Sequence, residues 1–161
     1  MRGFTLLEIL ISLTIMSLIV AGIFAIINVA DVTWNTDMVL LDIQQQARLA
    51  MDGMTREARQ AKPSDITVSE EGGRIDFLVP NVSNAVGYYL QGNQIIREHP
   101  TGTTKILANY INVLNFCCVG GSGCADCANA RILQVQIQAT KTMKGRTATF
   151  PLTEKVMLRN E

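Results

Sequence analysis

One acidic group in this chain sits where water does not. Glu8 lies between Phe4-Thr5-Leu6-Leu7 and Ile9-Leu10-Ile11, and the run that follows, Ile9 to Ala30, contains no Asp, Glu, Lys, Arg or His. Carrying a carboxylate to membrane depth costs about 2.5–3.5 kcal/mol on insertion scales, so such a group needs a partner. No basic residue occurs from Gly3 to Ala47. The nearest cation the chain can supply is an α-amine, created if the backbone is cut after Gly3. The new terminus is then Phe4, four positions before Glu8, and helical spacing places i and i+4 on one face. Amine and carboxylate can pair within one chain or between neighbours. Gly3 suits the cut because a small residue leaves an extended, accessible backbone; its plainer reading is a flexible N-terminal glycine.

A second group of reactive side chains is confined to eleven residues, Cys117-Cys118-Val-Gly-Gly-Ser-Gly-Cys124-Ala-Asp-Cys127. Four cysteines allow three pairings. Outside the cytosol disulfides form and persist, and two of them would pin a glycine-rich loop. The expected pairing is nested, Cys117 with Cys127 and Cys118 with Cys124. A four-thiolate metal site and free thiols are the alternatives. Adjacent Cys117 and Cys118 point oppositely in a strand, which disfavours a common metal, and the Cys-x2-Cys spacing occurs only once. Such a loop is also a plausible surface for partner contact.

Other chemistry finds no constellation. His99 is the only histidine, and it precedes Pro100 in a turn-like stretch, where a surface histidine is expected rather than a base. No Ser-His-Asp set, phosphate-binding loop or paired-glutamate signature is present. Gly120-Gly121-Ser122-Gly123 opens no helix, so phosphate binding lacks its context. The sequence implies no enzyme, cofactor or metal centre. With 14 basic and 14 acidic residues the net charge is zero, which argues against an electrostatic nucleic-acid binder.

The elements that position these groups can be read from periodicity. Ile9 to Ala30 is long enough to cross a bilayer as a helix, and Ser12, Thr14 and Ser17 are tolerated there because hydroxyls bond back to carbonyls one turn earlier. The run is too long for a secretory signal core, and Asn28-Val29-Ala30 puts Asn where a small apolar residue is wanted. Arg2 should stay cytoplasmic, with everything after Ala30 outside the inner membrane. Trp34 is either an interfacial indole or a core residue; both readings stand. From Thr36 to Ala61 apolar residues recur at Val39, Leu40, Ile43, Ala47, Ala50, Met54, Ala58 and Ala61, a one-sided helix with Asp42, Gln45, Arg48, Asp52, Arg56 and Arg59 opposite. Pro63 closes it. A helix from Phe4 to Lys62 would be about 90 Å long. No proline interrupts it; Gly22 and Gly53 are its weak points, and Gly22 is where local melting during assembly is expected.

After Pro63 the period becomes two. Ile66–Val68 and Ile75–Val79 form a hairpin across residues 70–73, and Val86–Leu90 with Gln94–Glu98 a second across Gly92-Asn93. Tyr110–Cys117 is a further strand, and residues 132–139 face 147–158 across Met143-Lys144-Gly145. Helix first and antiparallel sheet afterwards gives an α+β fold, the sheet wrapping the apolar stripe of the helix. The divisions are a leader at 1–3, a transmembrane helix at 4–30, and an amphipathic helix with sheet head, outside the membrane, at 31–161.

Arg2-Gly3, Phe4-Thr5-Leu6-Leu7-Glu8 and the apolar helix behind them resemble the prepilin signal of type IV pilins and type II secretion pseudopilins. The resemblance implies a pilin-like fold, with a two-part helix like that family's lollipop stem. It implies cleavage by prepilin peptidase between Gly3 and Phe4, N-methylation of Phe4, and Glu8 as the filament-assembly carboxylate. The partners implied are other pilin or pseudopilin subunits, met through the N-terminal helix. The inner membrane holds the single-pass subunit, head in the periplasm, before an extracytoplasmic filament forms. Gln44-Gln45-Gln46-Ala47-Arg48, Met54 through Ala61, and Lys155-Val156-Met157-Leu158-Arg159-Asn160 are similar to J-type pseudopilins and W-type minor pilins. That implies a structural minor subunit near the filament tip that helps initiate assembly. The other readings are a major pilin and a signal-anchored periplasmic protein that does not polymerise.

Overall fold

A computed structural model describes residues 5–69, 71–80, 84–120, 123–143 and 145–158. One helix, α1 (Leu6–Ala58), precedes all other elements. Thr5 starts it: the Glu8 N–H donates to Thr5 Oγ1 at 3.3 Å, and the Ile9 N–H to the Thr5 carbonyl at 3.4 Å. This satisfies amide groups that a helix start otherwise leaves open. The end comes earlier than Lys62 because the last turn tightens. Gln60 N–H bonds Glu57 O and Ala61 N–H bonds Ala58 O, three residues back, before the short 3-10 turn Pro63–Asp65.

The chain packs as two compact units divided between Met38 and Val39. In the first, every side chain from Leu6 to Ala30 is exposed. In the second, α1 buries Val39, Ile43, Ala47, Ala50, Met51, Met54, Thr55 and Ala58. This is the stripe expected from spacings of three and four, widened by Met51 and Thr55. The strands of this unit are β1 (Ile66–Val68), β2 (Arg74–Phe77), β3 (Val86–Gln91), β4 (Gln94–Glu98), β5 (Thr104–Asn109), β6 (Ile111–Val119), β7 (Ile132–Met143) and β8 (Arg146–Met157). They form a five-stranded antiparallel meander, β1 to β5, and a separate three-stranded antiparallel sheet, β6-β7-β8. The α+β, pilin-like architecture is therefore present, with two sheets around the helix rather than one. Both contribute to one core with the helix: Phe77, Tyr88 and Ile95 from the first, Phe116, Leu133 and Ile137 from the second.

β5 was not legible in the alternation. Its sequence, TKILAN, places Ile106, Leu107 and Ala108 in succession, and a register irregularity opposite Ile95/Ile96 breaks the period. Tyr110 then carries the chain from one sheet to the other with φ 62°, in the left-handed region, and its carbonyl accepts from the Thr140 N–H at 2.7 Å.

Polar contacts fasten the helix to both sheets. Lys141 Nζ donates to Asp42 Oδ2 at 2.9 Å and stands 4.2 Å from the Tyr110 ring centre. Gln46 bridges Asp42 and the Asn109 N–H. Tyr88 donates its hydroxyl to Glu57 Oε2 at 2.7 Å, and Arg97 donates to the same oxygen at 3.2 Å. Burial, then the Glu57 carboxylate it donates to, raises the Tyr88 phenol well above its usual range. Lys141, and after it Gln46, holds Asp42 below the usual carboxylate range; Asp42 raises Lys141 against its partial desolvation.

The two sheets meet at Gly72, where φ is +72°. Its carbonyl accepts from the Phe116 N–H of β6 at 2.8 Å. A Cβ there would overlap Asn115 Oδ1 and lie 3.0 Å from Phe116 O, whereas at Gly73 it would meet nothing. Gly72→Ala is predicted to destabilise the head by about 2–4 kcal/mol, from left-handed strain plus the clash with β6. Gly73→Ala should change stability by less than about 1 kcal/mol, and denaturation of the full chain in detergent compares them. Asp42→Asn should cost about 0.5–1 kcal/mol at neutral pH, since one partner is largely exposed. Asp42 is depressed, so its contribution is present above its unfolded range near 4 and is lost as pH falls through the lower folded value. Lys141 is raised, so its contribution is present below its unfolded value of 10.5 and is lost as pH rises through the higher folded one. The stability difference between the native chain and Asp42→Asn should be flat from about pH 5 to 10 and vanish in acid. A pH series of denaturation curves measures it.

Candidate functional site

The site that sequence reasoning singled out is the first turns of α1. Glu8 is exposed in the third position of the helix, with Leu6, Leu7, Ile9, Leu10 and Ile11 exposed around it. Its side chain has no hydrogen-bond or ion-pair partner among the described residues. Gly3 and Phe4, the expected cleavage and methylation residues, lie outside the described residues. Among the described residues, none supplies a cation to Glu8.

The apolar segment behind Glu8 satisfies its own polar groups. Ser12 Oγ donates to Glu8 O, Thr14 Oγ1 to Ile11 O and Ser17 Oγ to Thr14 O, each at 2.8 Å. With these hydroxyls tied back and every backbone group in helical register, the segment presents hydrocarbon outward. Its most apolar window has mean hydropathy 2.7 and none of it is buried within the chain. By length and composition this helix can cross a bilayer. Trp34 is 65% exposed, against the core reading. Leaving such a surface uncovered in water is unfavourable at about 25 cal/mol per Å2, so lipid or other helices must cover it.

Thr5 is the residue of this turn that spacing arguments missed. Thr5-Leu6-Leu7-Glu8 has the Thr-x-x-Glu form that begins many helices, a signal that was available in the sequence. The threonine fixes the amide of Glu8, and so fixes where its carboxylate leaves the helix.

The four cysteines are brought together, but the nested pairing is overturned. Cys117 bonds Cys124 and Cys118 bonds Cys127, a crossed arrangement that leaves no free cysteine. The reason is the two-residue period of β6. Cys118 faces the core and meets the buried Cys127, while Cys117 faces outward and meets the exposed Cys124. His99 is half-buried rather than at the surface, and its buried Nδ1 has no hydrogen-bond partner among the described residues. Its backbone closes the turn after β4, bonding Thr103 O at 2.9 Å.

Residues 1–24 match the family model described as the prokaryotic N-terminal methylation motif, the type IV pilin and pseudopilin signal. The match ends within the apolar helix and contains Gly3, Phe4, Thr5 and Glu8. No curated protein matches the chain.

Thr5→Ala should cost the first turn about 1 kcal/mol, the typical worth of such a cap. In detergent micelles the Glu8 amide should exchange with solvent roughly fivefold faster, with amides beyond Ser12 unchanged. Amide exchange measured by NMR decides it.

Proposed function

We propose, for a chain that carries the N-terminal signal of type IV pilins and pseudopilins, that the protein is a structural subunit of a type IV pilus or type II secretion pseudopilus. The signal indicates a structural subunit rather than an enzyme. The observation that carries the reading is Glu8: an acid in an exposed apolar helix, unpartnered among the described residues, inside the matched segment.

Prepilin peptidase cuts between Gly3 and Phe4 and methylates Phe4. Before that the subunit waits in the inner membrane with its head in the periplasm. In a filament, the apolar helices of neighbouring subunits replace lipid around each other. Glu8 then meets the Phe4 amine of an adjacent subunit. Low local dielectric makes the pairing selective, because a wrong register leaves two charges desolvated and apart. The resemblance of residues 44–48, 54–61 and 155–160 to J-type and W-type subunits supports a minor role near the tip, where the subunit primes assembly. Residues 44–58 lie in the part of α1 that packs into the head.

Intact-mass measurement should show a chain lacking its first three residues and carrying one added methyl group. Glu8→Ala should still insert and be cleaved, but incorporate into fibres about tenfold less, as loss of about 1.4 kcal/mol of pairing implies. Normal incorporation overturns the pairing, and an intact N-terminus overturns the family reading. Quantitative mass spectrometry of purified fibres tests the minor role: a few copies per fibre are expected, and one copy per helical rise contradicts it.

A further inference from the structure

The crossed pairing leaves the two disulfides in unlike surroundings. Cys118 and Cys127 are 3% and 2% exposed and belong to the same core cluster as Ala130 and Leu133. Cys117 lies half-buried on the opposite face of β6, in register with Gln134 of β7, which is in turn in register with Lys155 of β8. Its partner Cys124 is exposed. Thiol–disulfide exchange requires a thiolate to reach a sulfur, so access decides which bond is attacked first. Backbone contacts support the surrounding segment separately. The Cys118 N–H donates to Cys124 O at 2.9 Å, Asp126 N–H to Gly123 O at 3.1 Å, and Ala130 N–H to Cys127 O at 3.0 Å.

We propose that Cys117–Cys124 is an exchangeable disulfide, opened and closed by a dithiol of the Cys-x-x-Cys class, while Cys118–Cys127 keeps the head folded. The attacking thiolate bonds to Cys124 Sγ, and Cys117 leaves as a thiolate and takes a proton. The second thiol of the reductant then attacks its own sulfur in the mixed disulfide and releases Cys124, which is also protonated. Two electrons and two protons pass to the cysteine pair, and the dithiol ends as a disulfide. The inner bond already closes residues 118–127, so the outer one adds little loop-closure entropy. Its opening removes the covalent tie of Cys124 to β6 and leaves the backbone contacts and the core contacts of Cys118 and Cys127 in place. That tie is therefore set by the redox state of one bond.

Brief treatment of the full chain in detergent with dithiothreitol, followed by alkylation and peptide mass spectrometry, tests this. Cys117 and Cys124 should be labelled at least about tenfold faster than Cys118 and Cys127, with the thermal midpoint of the head lowered by only a few degrees at that stage. Simultaneous labelling of all four, earlier labelling of the inner pair, or loss of the folded head with the first bond overturns the proposal. The double variant Cys117→Ser, Cys124→Ser should fold and keep Cys118 and Cys127 unlabelled. If it does not fold, the outer bond is structural and the proposal fails.

Discussion

A carboxylate in hydrocarbon is the constraint on which the N-terminal half of this protein depends. Among the described residues, nothing near Glu8 neutralises its charge. The neighbouring side chains are apolar, the nearby hydroxyls are spent on helix carbonyls, and no described residue supplies a cation. Thr5 fixes the amide at that position. An unpaired charge of this kind has a few kcal/mol to gain from one well-placed amine, and that gain is available only in a particular register between helices. Apolar contact between helices is non-directional, so it can hold subunits together but cannot by itself choose how they align.

The other half of the chain solves a different problem. Its part of α1 has an apolar stripe too wide to leave in water, which includes the small residues Ala47, Ala50 and Ala58. Two antiparallel sheets cover the stripe, joined through Tyr110 and through the backbone bond of Gly72 to Phe116. The polar pairs Asp42–Lys141 and Glu57–Arg97 add direction to this packing, since each links one helix position to one strand position. Disulfides then fix the end of β6, one facing the core and one facing water.

Much of this was legible in the residues. The charge-free run, the helical spacing from Val39 to Ala61 and three hairpins all follow from periods and charges that act locally. The parts that were not legible depend on distant partners. Nothing local in TKILAN shows a strand, because its register is set by β4 across an irregularity. Division into two sheets rests on a left-handed Tyr110, a conformation that residue type does not announce. The cysteine pairing follows strand parity rather than nesting: the outward and inward alternation of Cys117 and Cys118 sets each partner. The cap at Thr5 is visible locally as Thr-x-x-Glu.

The central claim is that Glu8 is neutralised by the amine of a neighbouring chain. Fibres assembled from a mixture of two populations, one labelled with 15N at Phe4 and the other with 13C at the Glu8 carboxyl, isolate that contact from any pairing within a chain. Dipolar recoupling between the two labels in the solid state should place amine and carboxylate within about 4 Å across subunits, the range of an ion pair. Absence of that coupling in fibres that contain both populations would contradict the account.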